Sequence, residues 1–312
     1  MFLKFLPKDK NIQIENSFYV VREIGNINKI KVVKKGEDPF YVSDKGKVSS
    51  LENIPVNKDR VDFLLNFFRK IGYFHKFYPK EKLQSYGLND PIFVFYVEGE
   101  KGRFSLKIGN KTHDGEYYYA ILEGLNENGE VLTIGSGNIE QILSSKKDYI
   151  ELKLIKHFEK TFGEDGKYNG DGVQNCVVRG ENSKDFLEFG VDEKGEIFAK
   201  HPKDFKLDEK VKEIIEKGPN SLVAKEAVVL NPTEKELEDF GLKAPSKTIE
   251  YEIDNRKYKI KIGKVFKVEQ NPVSEAEEKK EVETVKYYYV LVEGVSCVFS
   301  VREDFLPWLK LK

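Results

Sequence analysis

The sequence predicts an α+β fold built as an internal duplication, two similar units each with a mainly antiparallel sheet packed against one or two helices. Three observations carry that prediction. A heptapeptide recurs, "SYGLNDP" at 85–91 and "DFGLKAP" at 239–245. A second glycine follows at the same interval, since 22 residues separate Gly87 from Gly109 and Gly241 from Gly263, and each second glycine closes the phrase "KIG". A tyrosine triplet then stands at 117–119 and again at 287–289.

Taken in order, residues 1–10 read as a frayed start and "IQIENSFYVVREI" opens the strands of the first unit. "VSDKGKV" at 42–48 and "VDEKGEI" at 191–197 share a valine, an acid, Lys-Gly and a final aliphatic, the pattern of strand, glycine turn and strand. Residues 57–72 place Val61, Leu64, Leu65, Phe68 and Ile71 on one helical stripe, with Asn57 as cap and Gly72 as stop. The matching helix, 207–218, carries Val211, Ile214 and Ile215 and ends at Gly218.

The heptapeptide is a helix ending. Gly87 and Gly241 take the left-handed position past the last turn, which glycine enters without steric penalty. Leu88 then meets Leu83, and Leu242 meets Leu237, as a Schellman cap requires. Thr233 and Glu236 form a capping box that starts the second of these short helices. Pro91 and Pro245 favour an extended exit into a strand. Hairpins follow: "IFVFYV" and "RFSLKIG" flank "EGEKG", while Ile249, Tyr251 and Ile253 alternate before a turn at "DNR" and then Tyr258, Ile260 and Ile262. The tyrosine strand, a further strand and a terminal helix close each unit. The repeat signature is thus Gly87, Leu88, Pro91 and Gly109, then Gly241, Leu242, Pro245 and Gly263.

Two units of this size are ordinary domains rather than solenoid repeats. The expected division is 1–157, a Gly-rich connecting segment 158–175 around "FGEDGKYNGDG", and 176–312. Within the last, 267–286 is a mobile acidic insertion, because the offset between copies grows from 154 to 170 across it.

At 312 residues and 39% hydrophobic, the chain can bury two cores. A net charge of −1 with 34% charged residues gives no basic footprint for nucleic acid. No apolar run reaches the roughly 18 residues of a spanning helix, and "MFLKFLPKDK" is too short for a signal peptide.

Chemistry is sparse in the pattern. His75, His113, His157 and His201 are dispersed, without metal-ligand spacing. "DGKYNGDG" departs from a calcium loop, with Lys167 at its third position and Cys176 at its twelfth. "IGSGN" lacks the spacing of a phosphate loop, and no GxSxG elbow occurs. The expectation is therefore no catalytic, cofactor or metal residue. Cys176 and Cys297 lie in apolar segments of the second unit; they pair only if their strands are neighbours and the compartment oxidises, and two buried free thiols are the simpler expectation. Tyr117 and Tyr119 share one strand face and Tyr118 takes the other. Core packing accounts for one face, and a partner surface is the alternative for Tyr118 and its counterpart Tyr288.

The order of Lys-Gly hairpin, helix, "YGLxxP", strand, "KIG", "YYY" and closing helix, with a second copy carrying "FGLxxP", resembles the bacterial family known as domain of unknown function 4340. The resemblance covers most of residues 25–312. It implies an exported body on one N-terminal transmembrane anchor, with ABC-transporter components like those named for gliding motility as neighbours. The chain holds no such apolar run, so either an anchor lies upstream of Met1 or this member departs from the family and a cytoplasmic location stays open. The implied function is that of a non-catalytic extracytoplasmic accessory subunit, periplasmic or at the cell surface, in an ABC-type transport or envelope system. Its partner is a protein, the transporter's membrane components, or an envelope polymer. The alternative is a stand-alone ligand-binding module for envelope polysaccharide or peptide.

Overall fold

The computed structural model describes residues 16–17, 25–70, 74–77, 82–124, 131–164, 166–181, 186–270 and 283–311. The chain divides into two compact units, Met1–Glu52 with Val56–Ile150, and Asn53–Pro55 with Glu151–Lys312. Each is built on a mostly antiparallel sheet with few helices, an α+β or mostly-β arrangement.

In the first unit the elements are β1 (Asn16–Ser17), β2 (Ile27–Lys34), β3 (Phe40–Ser43), α1 (Lys58–Lys70), β4 (Phe74–Phe77), β5 (Phe93–Gly99), β6 (Gly102–Lys111), β7 (Tyr117–Glu123), β8 (Val131–Gly135) and α2 (Ser136–Ile139). The sheet order is β1-β4-β8-β7-β6-β5-β2-β3. Helix α1 forms because Asn57 Oδ1 accepts the Arg60 N–H at 3.1 Å and an apolar stripe follows. Val61, Leu64, Leu65 and Phe68 of that stripe are buried, and the Phe68 ring lies 5.2 Å from Phe95 of β5. Ile71 and Gly72, the expected end of the helix, fall outside the described residues, as does most of the strand expected at 12–24.

In the second unit they are β9 (Val173–Gly180), β10 (Phe186–Val191), β11 (Ile197–His201), α3 (Glu209–Ser221), β12 (Glu226–Leu230), α4 (Glu234–Asp239), β13 (Lys247–Ile253), β14 (Arg256–Gln270), β15 (Glu283–Val292) and β16 (Cys297–Arg302). The order is β11-β10-β9-β13-β14-β15-β16-β12. Counted from the strand after the long helix, the first sheet runs β4-β8-β7-β6-β5-β2-β3 and the second β12-β16-β15-β14-β13-β9-β10. Over these seven strands the connectivity is the same, while the eighth strand lies at opposite ends, β1 beside β4 and β11 beside β10. Asp254 and Asn255 turn the β13–β14 hairpin with φ of 49° and 59°, as a two-residue loop between twisted strands requires.

Several elements differ from expectation. Helix α3 does not stop at Gly218 but continues to Ser221. That glycine serves close packing instead: a Cβ there would sit 3.1 Å from the Trp308 ring, which is wholly buried. The first cap, at 82–87, is a single turn rather than a helix among the described residues, whereas α4 is a full capped helix whose Thr233 and Glu236 bond reciprocally. The closing helices are short 3₁₀ turns in the second unit, Glu303–Phe305 and Pro307–Lys310.

The Gly-rich segment belongs to the second unit, whose main run begins at Glu151 rather than at 176. It closes on itself: the Asp171 carboxylate accepts the Thr161 N–H at 2.9 Å, and Phe162 bridges to Tyr168. At the insertion, 267–270 and 283–286 are ladder rather than loop, with Lys267 opposite Lys286 and Val268 opposite Val285; residues 271–282 lie outside the described set.

Candidate binding surface

Both heptapeptides dock a helix end on their sheet in one way. Leu88 N–H bonds Leu83 O at 2.9 Å and Gly87 N–H bonds Gln84 O at 3.1 Å, while Leu242 N–H bonds Leu237 O at 2.7 Å and Gly241 N–H bonds Glu238 O at 2.9 Å. Those are the two bonds of a Schellman cap. Gly87 and Gly241 have φ of 70° and 72°. The cap then touches the strand holding the second glycine: Asn110 N–H bonds Tyr86 O and Lys264 N–H bonds Phe240 O, each at 2.8 Å. A side chain at Gly109 or Gly263 would overlap that carbonyl oxygen. This close approach is why "KIG" ends in glycine.

The tyrosine triplets divide between two faces. In the first sheet Tyr119 stacks on Tyr86 of the cap at 4.4 Å, and in the second Tyr289 packs on Phe240 at 4.4 Å. Tyr118 points to the face covered by α1 and is only 8% exposed. Its hydroxyl reaches Glu140 Oε1 at 3.3 Å, and that carboxylate is ion-paired with Lys111. Tyr288 repeats this, with its hydroxyl 3.4 Å from Glu303 Oε1 and Lys286 3.3 Å from the same oxygen. Burial raises both phenols above their ordinary range, and the Lys111 hydrogen bond holds Glu140 below the usual carboxylate range. Tyr118 and Tyr288 therefore fasten, through their hydroxyls, the helical turn that comes after the next strand.

Ring area is displayed elsewhere, at positions the sequence reading did not single out. Register places Tyr41 of β3 opposite Lys31 of β2, and Lys31 opposite Tyr96 of β5. All three lie on the face away from α1, because their neighbours Phe40, Val32 and Phe95 point inward and are buried. Tyr41 is 37% exposed and Tyr96 47%. Lys29 and Lys31 lie at 4.0 and 5.8 Å from the Tyr41 ring centre, and Lys31 at 5.7 Å from that of Tyr96. Such cation–π contacts hold the ammonium groups without neutralising them. With Glu98, Arg103, Ser105 and Glu123 these side chains line a cavity of about 450 Å³. Arg103 pairs with Glu98 at 2.8 Å and Lys107 with Glu123 at 2.7 Å, whereas Lys29 and Lys31 have no carboxylate partner among the described residues.

The second sheet carries a different triplet at the matching places. Glu188 of β10 stands opposite Val177 of β9, which stands opposite Glu250 of β13. Lysines neutralise both acids, Lys200 at 3.8 Å from Glu188 and Lys259 at 3.1 Å from Glu250. The cross-strand row over β10, β9 and β13 is thus Glu188–Val177–Glu250, where that over β3, β2 and β5 is Tyr41–Lys31–Tyr96.

Cys176 and Cys297 are not joined in a disulfide, and both are fully buried. They sit on β9 and β16, with β13, β14 and β15 between, so the neighbouring strands that a disulfide needs are not there. Four strand spacings amount to about 19 Å. Burial pushes the Cys176 thiol up to about 12. Among the described residues no cluster of His, Cys, Asp and Glu is placed to hold a metal ion, and no helix is long and apolar enough to cross a membrane. Comparisons with protein-family models, with curated proteins and with solved structures find no match to this chain.

Proposed function

We propose that this chain is a non-catalytic binding protein whose working surface is the outer face of the first sheet. One observation carries the reading: Tyr41, Lys31 and Tyr96 form a cross-strand row with exposed rings and unneutralised ammonium groups, on a face where exposed aromatics serve binding better than stability. The matching row of the second sheet, with its neutralised acids, supports a division of labour in which the second unit is a scaffold. The shared strand order and the twin glycine caps favour descent of both units from one duplicated ancestor.

The motif resemblance to domain of unknown function 4340 supports a location outside the cytoplasm and a role as accessory subunit of an ABC-type transport or envelope system. The test is affinity purification of the tagged full-length protein from its own membranes after mild crosslinking, with co-purifying proteins identified by mass spectrometry. Stoichiometric recovery of an ABC permease or its ATPase is expected from the wild type. It should be lost when Lys31→Val, Tyr41→Glu and Tyr96→Glu are combined. Equal recovery from the variant refutes the surface, and no transporter subunit in either sample refutes the accessory role.

A further inference from the structure

We infer that the outer face of the first sheet binds an anionic polysaccharide, a sugar chain bearing carboxylates such as a polymer of uronic acids. The inference rests on the reading that this face is the binding surface and adds the chemical class of its ligand.

Three features select that class. Two tyrosine rings flank Lys31, one strand spacing of about 4.8 Å to either side. The face of a tyrosine ring is electron-rich, and the C–H bonds on one side of a sugar ring meet it favourably. Lys29 and Lys31 stand two residues apart on β2, about 6.6 Å along the strand, and present two ammonium groups to successive anionic units; Glu98, which stands across from Lys29, is taken by Arg103. The Glu98 and Glu123 carboxylates then line the same cavity with hydrogen-bond acceptors, Glu123 Oε2 already accepting the Ser105 hydroxyl at 3.2 Å. Sugar hydroxyls donate to such acceptors, whereas a phosphodiester strand and an ionised acidic side chain carry no donor there.

An acidic peptide fits less well on a second count. Peptides commonly add as a strand to an open sheet edge. β2 and β5 are paired on both sides, and on β3, the edge strand, Ser43 N–H bonds Lys47 O and Tyr41 O accepts Ser49 N–H, each at 2.9 Å, so the row offers no free backbone ladder.

The contrast between units supplies the variants. Lys31→Val, Tyr41→Glu and Tyr96→Glu install on the first sheet the residue types that the second carries in its row across β10, β9 and β13, so an antiparallel sheet of this strand order has room for them. Val177→Lys, Glu188→Tyr and Glu250→Tyr make the reverse transplant.

The experiment is titration calorimetry of the full chain with a galacturonic acid hexamer, beside neutral maltohexaose, hexaglutamate and a thymidylate hexamer. The wild type is expected to bind the galacturonate hexamer at one site, more weakly as salt rises, and at least tenfold tighter than the other three. The triple variant should lose tenfold or more in affinity with its thermal midpoint kept, and the reverse transplant should raise the stoichiometry towards two. Equal or tighter binding of hexaglutamate or thymidylate overturns the glycan class, as does an unchanged affinity in the triple variant or no binding of the hexamer by the wild type. Should the hexamer fail while the triple variant still loses the membrane partner, the ligand class falls and the binding surface stands. Should partner recovery be unchanged too, both fall.

Discussion

Replacing Gly263 by alanine tests the reason for the repeated "KIG". The new Cβ would overlap the Phe240 carbonyl oxygen and lie 3.2 Å from the Leu242 side chain, both fixed by the α4 cap. Backbone cannot yield here as a flexible side chain would, so the cap must lift. Lifting breaks the 2.8 Å bond from Lys264 N–H to Phe240 O, at about 1 kcal/mol. It loosens the Phe240–Tyr289 ring pair, at about 1 kcal/mol. Partial exposure of Leu242, now 1% exposed, adds about 1–2 kcal/mol. Alanine returns roughly 0.5 kcal/mol by restricting the unfolded chain, leaving a net loss of about 3 kcal/mol. Trp308, the sole tryptophan, is buried in the same unit, so its fluorescence reports unfolding of that unit in urea. With a slope near 2 kcal/mol per molar, the midpoint should fall by about 1.5 M. Gly180→Ala is the control, because nothing lies within 4 Å of its Cβ. A midpoint for Gly263→Ala within about 0.2 M of the control would refute the close-approach account.

Three further outcomes are expected. Gly218→Ala should destabilise the second unit by about 1–3 kcal/mol and alter Trp308 emission, since a Cβ crowds the indole whose N–H bonds Tyr251 Oη at 2.7 Å; an unchanged spectrum and midpoint would contradict it. Ellman's reagent should find both thiols unreactive in the native protein and two per chain after unfolding, and a protein still lacking them when unfolded without reductant would contradict the absence of a disulfide. The Cys176 thiol has an ordinary value of 9.0 and a folded one of about 12. The unfolded chain therefore releases its proton first, the folded state binds more protons in that window, and stability falls as pH rises from 9.0 towards about 12. The loss reaches about 1.4 kcal/mol by about pH 10. Urea midpoints of Cys176→Ala should lack that increment relative to the wild type, and parallel pH profiles would contradict it.

Much of the fold was legible in the chain because its signals are local. The Schellman bonds at Gly87 and Gly241 join residues three and five apart, and the α1 stripe repeats at the helical period, so a short window holds each pattern. Gly218 misled for the same reason: a glycine near the end of an apolar stripe reads as a stop, and nothing nearby announces that Trp308 will lie against it. The cysteines could be placed in strands but not in neighbouring ones. In the candidate surface, alternation around Ile30 and Val32 puts Lys29 and Lys31 on one face of β2, and the same rule turns Tyr96 away from Phe95. That Tyr41, Lys31 and Tyr96 form one row depends on the register of three strands, two of them more than 60 residues apart in the chain. The amino-acid sequence by itself determined the caps, the strand faces and the helical stripes, which hydrogen bonds within a turn and side-chain periodicity decide. Tertiary structure alone decided which faces stay open and which side chains meet there, because cross-strand register is set by packing of the whole sheet on its helix, and no local segment carries that information.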